Sequence, residues 1–461
     1  MSFLDNLDIY KNKDCIVDNN KIFSYKEILE VSQKFTDAIP KRSLVFLLGG
    51  NNYETLISYI GLIRSKSVIT LLDKDINIKN LKNLIKKYSP NYIILPDFFD
   101  KINGYTNIKN LKNYYILEKI SNKKITMNDE LAILLTTSGS TGSPKLVRLS
   151  YKNYLVNSAQ IIRSLQLKNS STITTLPIHY TYGLSIINTH LISGGKIILN
   201  TNSILEKKFW SIYKKYKPNI FYGVPYIYEI LNKLEFKNFF HKKLKTFTNA
   251  GGKLRDITLK KIIFHANIHK IKFYLMYGQT EASPRMSYLP HRYNNKKFNS
   301  IGKSVIGGAF SLLDRKNDEI NTPHTEGELI YNGENVSLGY SNNRWDLKKE
   351  DTHKKKLFTG DLAIFDEDNF FYITGRKKRI IKLFGIRISL DDIEDILLKE
   401  YKLITNCETN DDRLIINYSK KKINEKKIIN KLSSKINLNQ NYIKFKLVKI
   451  DKIKNNRNKA I

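Results

Sequence analysis

Cysteine is nearly absent from this chain of 461 residues: there are two, Cys15 and Cys407, far apart in sequence. They offer neither a disulfide framework nor a cysteine metal site. No run of 18 or more apolar residues occurs, so no membrane-spanning helix is expected. The first ten residues, MSFLDNLDIY, contain acids and no apolar core. No signal peptide is expected there, and a reducing cytoplasm is the default expectation. Acids are scarce beside bases, 43 against 78, giving a formal net charge of +35. Such an excess normally points to nucleic acid or an anionic surface. Here, however, the lysines are spread along the whole chain in company with Asn and Ile, as in NIKNLKNLIKK at 77–87 and KKKINEKKIINK at 420–431. No zinc-finger spacing or RNA-binding sheet signature accompanies them, so no nucleic-acid partner is expected. His265 and His269 stand four residues apart, but Ala266 and Asn267 deny the glutamate of a zinc-protease helix, and a solvated helix face is expected instead. No Ser/His/Asp order stands out.

What is present is enough apolar residue, 41%, to fill a packed core, in a chain long enough for two or more domains or lobes. Strand-like runs alternate with helical patterns: 44–48 precedes helical spacing at 53–63, 92–95 precedes a loop, and 196–199 follows Gly194-Gly195. Alternation of this kind predicts α/β layers with parallel strands. The DEDN at 366–369 predicts a hairpin turn, and Ser389 followed by Asp391, Asp392 and Glu394 predicts a capped helix start.

The most informative stretch is 136–145, TTSGSTGSPK. It follows an apolar run, 131–135, that reads as a buried strand. Four hydroxyls (Thr137, Ser138, Ser140, Thr141), two glycines (Gly139, Gly142) and one cation (Lys145) crowd into one turn. Glycines at positive φ let successive N–H groups face one concavity, the hydroxyls add donors, and the lysine adds charge. That is a grip for polyphosphate. No Gly-Lys-Ser/Thr run opens a helix, so it is not a P-loop; KLVRL at 145–149 reads as a second strand, with a helix starting after Ser150.

Further segments follow in a telling order: Asn249-Ala250-Gly251-Gly252, Tyr277-Gly278-Gln279-Thr280-Glu281, Gly327-Glu328-Leu329 with Gly339-Tyr340, Thr359-Gly360-Asp361, and Gly375-Arg376 through Lys382 to Gly385-Ile386-Arg387-Ile388. Together with the hydroxyl-rich loop they resemble the AMP-forming adenylating superfamily of acyl-CoA synthetases, peptide-synthetase adenylation domains and luciferases, most nearly its acyl-CoA synthetases. The resemblance runs over nearly the whole chain. It implies an α/β fold with a large N-terminal domain of layered α/β subdomains, 1–377, and a small mobile C-terminal α+β lid, 378–461. Lys378 stands at the hinge position and Gly385 where a thiol would approach.

The residue types suit the chemistry that the resemblance implies. An ATP α-phosphate must meet a carboxylate while pyrophosphate leaves, which is chiefly positioning and charge neutralisation. Glu281 supplies the hard oxygen that Mg²⁺ prefers beside phosphates. Thr280 can donate to the α-phosphate, and Tyr277 beside Gly278 offers a flat face to adenine near Gly251 and Gly252. Asp361 can accept from the ribose hydroxyls, and Arg376 can donate to the ribose or phosphate side. Family members carry a C-terminal lysine in a Pro-x-x-x-x-Gly-Lys setting, where it bridges carboxylate and α-phosphate. Lys459 fits the spacing, but Ile453 and Asn458 replace the proline and glycine, and Lys452 and Lys454 are nearby alternatives.

For the substrate, LPIHYTYGLS at 176–185 matches the superfamily's acyl-pocket segment, giving His179, Tyr180, Tyr182 and Gly183, with Tyr222 and Gly223 on a second segment. No Asp or Glu lies between Leu176 and Gly195 to pair a substrate ammonium, which disfavours an α-amino acid. The tyrosines predict an aromatic-walled cavity for a neutral-tailed acid. The expected activity is therefore ATP- and Mg²⁺-dependent activation of a carboxylic acid to an acyl-adenylate. Transfer to the thiol of CoA, or to the phosphopantetheine of an acyl carrier protein acting in trans, would follow. The alternatives are transfer to an amine or hydroxyl, and an inactive member that only binds.

Overall fold

A computed structural model describes residues 4–99, 102–121, 123, 125–136, 145–383, 386–410, 413–419, 423–436 and 438–448. By packing, the chain divides into two compact units, Met1–Ala309 with Tyr331–Leu357, and Phe310–Ile330 with Phe358–Ile461. None of the edges of this division falls at the 377/378 domain boundary expected from the sequence.

The first unit is built on two large sheets. Among the described residues one has nine strands, with Lys272–Gly278, Thr246–Asn249, Ile220–Gly223, Ser171–Ile173, Lys196–Ile198 and Asp14–Asp18 as successive neighbours. These six run parallel. The other has eight strands, with Leu146–Ser150, Leu131–Thr136, Val68–Asp73, Leu44–Gly49 and Tyr92–Pro96 at its centre. Strand Leu44–Gly49 is buried along its whole length, as expected of a central parallel strand. The helices Tyr25–Thr36, Tyr53–Arg64 and Thr181–Ile192 share one apolar core with strands of both sheets, through Tyr25, Leu56, Ile60, Leu184 and Ile187 against Val45, Leu47, Ile16 and Ile197. Helix Tyr53–Arg64 is apolar nearly all round and is buried nearly all round, which fits a layer between sheets.

Local signals set the element ends. Ser150 closes strand Leu146–Ser150 and caps helix Tyr151–Leu165 with a capping box, its Oγ accepting from Asn153 N while Asn153 accepts from Ser150 N. Asn52 caps helix Tyr53–Arg64 in the same sense.

Among the described residues a four-stranded sheet is ordered Gly308–Leu313, Gly327–Gly333, Lys356–Phe365, Phe371–Arg376, with most of its residues in the second unit. The expected turn at 366–369 joins the last two, with Asp366 accepting from Asp368 N and Phe370 N. Beyond it, helices Leu390–Tyr401 and Glu425–Ile436 pack with the three-stranded sheet Thr405–Asn410, Arg413–Tyr418, Ile443–Leu447. Leu383, Ile393, Leu397, Leu414, Ile416, Ile428 and Leu432 form a core of their own there. Ser389 caps helix Leu390–Tyr401 by accepting from Asp392 N at 3.2 Å.

Candidate active site

In the first unit the strands on either side of the hydroxyl-rich loop form a tight antiparallel pair. Strand Leu131–Thr136 pairs with Leu146–Ser150, Thr136 opposite Leu146 and Leu134 opposite Arg148. The loop residues between them, Thr137, Ser138, Gly139, Ser140, Thr141 and Gly142, lie outside the described residues. Lys145 is described and exposed, and its Nζ stands 5.9 Å over the Tyr340 ring. The Tyr340 hydroxyl donates to Glu281 Oε1 at 2.8 Å. Burial and the Glu281 carboxylate keep that phenol protonated by raising its pKa. Lys145, Tyr340 and Glu281, separated widely in sequence, thus form one cluster of a cation, an aromatic donor and a carboxylate.

The backbone around Glu281 is held from two sides. Thr280 and Glu281 lie in a 3₁₀ turn, Thr280–Ala282, after strand Lys272–Gly278. The Glu281 carbonyl accepts from Ser337 N at 2.8 Å, and Asn335 Nδ2 donates to the Ala282 carbonyl at 2.7 Å. Gly278 is required there: a Cβ would meet the Pro284 carbonyl oxygen at 1.8 Å. Tyr277 is the penultimate residue of the same strand, with Gln279 Nε2 donating to its hydroxyl at 3.4 Å.

The glycines expected beside adenine and the residues expected at the acyl pocket meet. Gly251 has φ +82°, and a Cβ on it would lie 2.8 Å from the Tyr180 hydroxyl. Gly252 accepts from Asn249 Nδ2 through its carbonyl. Tyr180 sits at the N-terminus of helix Thr181–Ile192, its phenol pushed up to about 12 by burial. His179 Nε2 lies 3.7 Å from Asp73 Oδ2. Burial nonetheless lowers the imidazole's pKa, the Asp73 charge offsetting only part of this. Asp73 is thus an acid beside the pocket segment that no window around 176–195 could reveal. Tyr182 donates or accepts at 2.7 Å with Thr248 Oγ1 and packs edge-on to Tyr222 at 6.3 Å. Gly183 and Gly223 serve close packing: added Cβ atoms would meet the Pro177 carbonyl at 2.2 Å and the Tyr228 ring at 2.5 Å.

In the second unit Asp361 and Arg376 face each other across an antiparallel pair, Arg376 Nε to Asp361 Oδ1 at 3.1 Å. Asp361 is nearly buried while Arg376 is exposed. Gly360, at φ +70°, lies within strand Lys356–Phe365 immediately before the aspartate, so the turn expected at 359–361 is a strand segment instead. Lys377 pairs with Glu328. The backbone of Lys378 lies in the 3₁₀ turn Lys377–Arg379, and Arg379 binds both Asp391 and Glu394. Gly385 and Lys459 lie outside the described residues.

One further expectation needs revision. His265 and His269 are not simply solvated: both rings stack on Phe240, at 5.4 and 4.1 Å. Arg148 and Arg285, about which the sequence raised no expectation, are fully buried. Arg148 donates to the carbonyls of Leu338, Lys349 and Glu350 and ties that segment to the phosphate-loop strand. The signal for Arg285 was its place four residues after Glu281, directly behind Pro284.

Residues 3–341 match the AMP-binding enzyme family, and the chain belongs to it. It is similar to the oxalate–CoA ligase of Saccharomyces cerevisiae, 29% identical over 280 residues, covering 60% of this chain and 50% of that one. It is also similar to a long-chain-fatty-acid–CoA ligase of Bacillus subtilis, 27% identical over 306 residues, covering 65% and 53%. The chain thus spans about half the length of these curated relatives. Among solved structures, the o-succinylbenzoate CoA synthetase of Bacillus subtilis, in complex with its acyl-adenylate intermediate, aligns with TM-score 0.77 over 97% of this chain and 94% of that one, at 17% identity. At that identity the likeness shows the shared α/β fold. Among the described residues no helix is long and apolar enough to cross a membrane.

Proposed function

We propose that this chain is an AMP-forming acid–thiol ligase. A substrate carboxylate oxygen attacks the α-phosphorus of ATP, the bond to pyrophosphate breaks, and an acyl-adenylate forms. A thiolate then attacks the acyl carbon and AMP leaves. The observation that carries this reading is the gathering of Lys145, Tyr340 and Glu281 at the mouth of the strand pair that frames the hydroxyl-rich loop.

In this reading Thr137 to Thr141, with Gly139 and Gly142, cradle the β- and γ-phosphates, and Lys145 adds charge. Glu281 fits a Mg²⁺ ligand: it is a hard carboxylate oxygen donor, oriented by one hydroxyl, on a turn fixed from two sides. Mg²⁺ bound there with ATP supplies neutralisation of phosphate charge. Thr280 donates to the α-phosphate, Tyr277 with Gly251, Gly252 and Gly278 accommodates adenine, and Asp361 accepts from ribose, with Arg376 beside it. Lys459 bridges carboxylate and α-phosphate during the first half-reaction. Lys378 is the pivot between the 1–377 domain and the 378–461 lid, and Gly385 leaves room for the thiol.

The names of the relatives, both ligases to CoA, support CoA as acceptor; the phosphopantetheine of a carrier protein offers the same thiol. ATP–pyrophosphate exchange with a panel of carboxylic acids tests the reading. Exchange with one class of acid, followed by thioester formation when CoA is added, is expected. Exchange without a CoA or carrier thioester would move the acceptor to an amine or hydroxyl. No exchange with any acid would leave a binding protein.

A further inference from the structure

Behind the aromatic acyl-pocket residues sits a cation with no acid to pair it. Arg285 is 1% exposed. Its Nε donates to Ser185 Oγ at 3.0 Å, and its Nη2 donates to Ser185 and to Thr189 Oγ1. These acceptors are neutral. Its guanidinium carbon lies 5.9 and 6.0 Å from the ring centroids of Tyr182 and Tyr222. Among the described residues no carboxylate pairs with it, and the groups that act on its charge are the two tyrosines.

Nη1 makes no hydrogen bond. The Tyr222 hydroxyl interacts with the guanidinium but, like Nη1, completes no hydrogen bond by distance and angle. Nor does His190 Nε2, whose ring packs edge-on to Tyr222 at 5.6 Å. All three side chains are 0–1% exposed. Burying a charge without a partner is costly, and so is each polar group left unpaired. The same unit shows the contrast. Arg148 is equally buried, but it spends both Nη groups on carbonyls and has Asp346, Asp351 and Glu350 nearby. Arg285 has two Nη1 hydrogens left and no acid. A carboxylate is the group that satisfies such a set, accepting from a guanidinium edge and a phenol in a dry site where charge-assisted bonds are strong.

We propose that Arg285 is the counter-charge for a second carboxylate on the acyl substrate, so that the acid activated is a dicarboxylate. Its distal carboxylate accepts from Arg285 Nη1 and the Tyr222 hydroxyl while the other end is adenylated. This replaces the neutral-tailed acid expected from the tyrosines. It also explains why a substrate ammonium is unwelcome: it would face a like charge. The inference rests on the proposed adenylation and on Tyr182 and Tyr222 belonging to the acyl pocket.

The test is pyrophosphate exchange with matched acids: dicarboxylic acids of increasing length, their monoamides and monomethyl esters, and monocarboxylic acids of equal length. At one chain length the diacid should exceed its monoamide in kcat/KM by roughly a hundredfold, as sites built around a buried polar group discriminate. Arg285→Met should remove or reverse that preference, and Arg285→Lys should keep part of it, with circular dichroism confirming folded protein. If Arg285→Met does not fold, the wild-type ranking and Arg285→Lys decide. Wild type that uses monoacids or esters as well as diacids at every length overturns the arginine assignment while leaving adenylation intact. No exchange with any acid rejects both.

Discussion

Tyr340→Phe isolates one hydrogen bond at the centre of the proposed nucleotide site. The phenol donates to Glu281 Oε1 at 2.8 Å. The ring itself packs edge-on to His353 at 5.5 Å and lies under Lys145 Nζ. Phenylalanine keeps both ring contacts and removes only the donor. A hydrogen bond to a charged acceptor contributes about 1.5–3 kcal/mol when shielded. Tyr340 is 39% exposed, so water replaces part of the interaction, and about 1 kcal/mol, or roughly fivefold, is the expected loss. If Glu281 acts by holding Mg²⁺, that loss falls on metal affinity. The Mg²⁺ concentration for half-maximal pyrophosphate exchange should rise by roughly fivefold, with a much smaller change in rate at saturating Mg²⁺. Glu281→Gln sets the scale by removing the anionic ligand outright. If Glu281→Gln abolishes exchange and Tyr340→Phe leaves the Mg²⁺ dependence unchanged, the tyrosine does not orient the carboxylate. If Glu281→Gln is itself silent, the metal role is wrong.

Acid should weaken the fold through His190, which burial holds at about 4 against the ordinary 6.5. The unfolded chain takes the proton first, so stability is full above about pH 6.5 and declines toward pH 4, by up to about 3 kcal/mol; His190→Leu should flatten the fall of the urea midpoint over that window, and an unchanged slope refutes it. Arg148→Met strands the carbonyls of Leu338, Lys349 and Glu350, and urea unfolding should show a loss of about 2–4 kcal/mol; a loss under about 0.5 kcal/mol, the range of ordinary surface substitutions, contradicts the tie. Lys378→Pro should spare adenylate formation and depress thioester formation, because proline fixes φ at the proposed pivot; equal loss of both half-reactions places the pivot elsewhere. Lys459→Ala should slow adenylation by several kcal/mol in barrier yet spare thioester formation from preformed acyl-adenylate, with Lys454→Ala as the control; equally mild effects would remove Lys459 from the catalytic machinery.

Short-range signals in the sequence determined the local frame. The apolar run at 131–135, the strand after Lys145 and the cap at Ser150 all depend on neighbours within a few residues, and each lies where periodicity and capping put it. The same holds for helix Tyr53–Arg64, the turn at 366–369 and the Ser389 cap. The motif order likewise pointed to the family that residues 3–341 match. Tertiary structure alone decided which side chains meet. Tyr340 reaches Glu281 across 59 residues, and Arg285 reaches Ser185 across 100. Segment Phe310–Ile330 joins a unit whose remainder begins at Phe358. An arginine in a basic chain reads as solvated, because local sequence carries no record of how completely distant strands and helices will enclose it. Burial is what turns Arg285 from one cation among 78 basic residues into a charge enclosed beside Tyr182 and Tyr222 with no acid to pair it, since the cost of leaving a charge uncompensated arises only once water has been excluded.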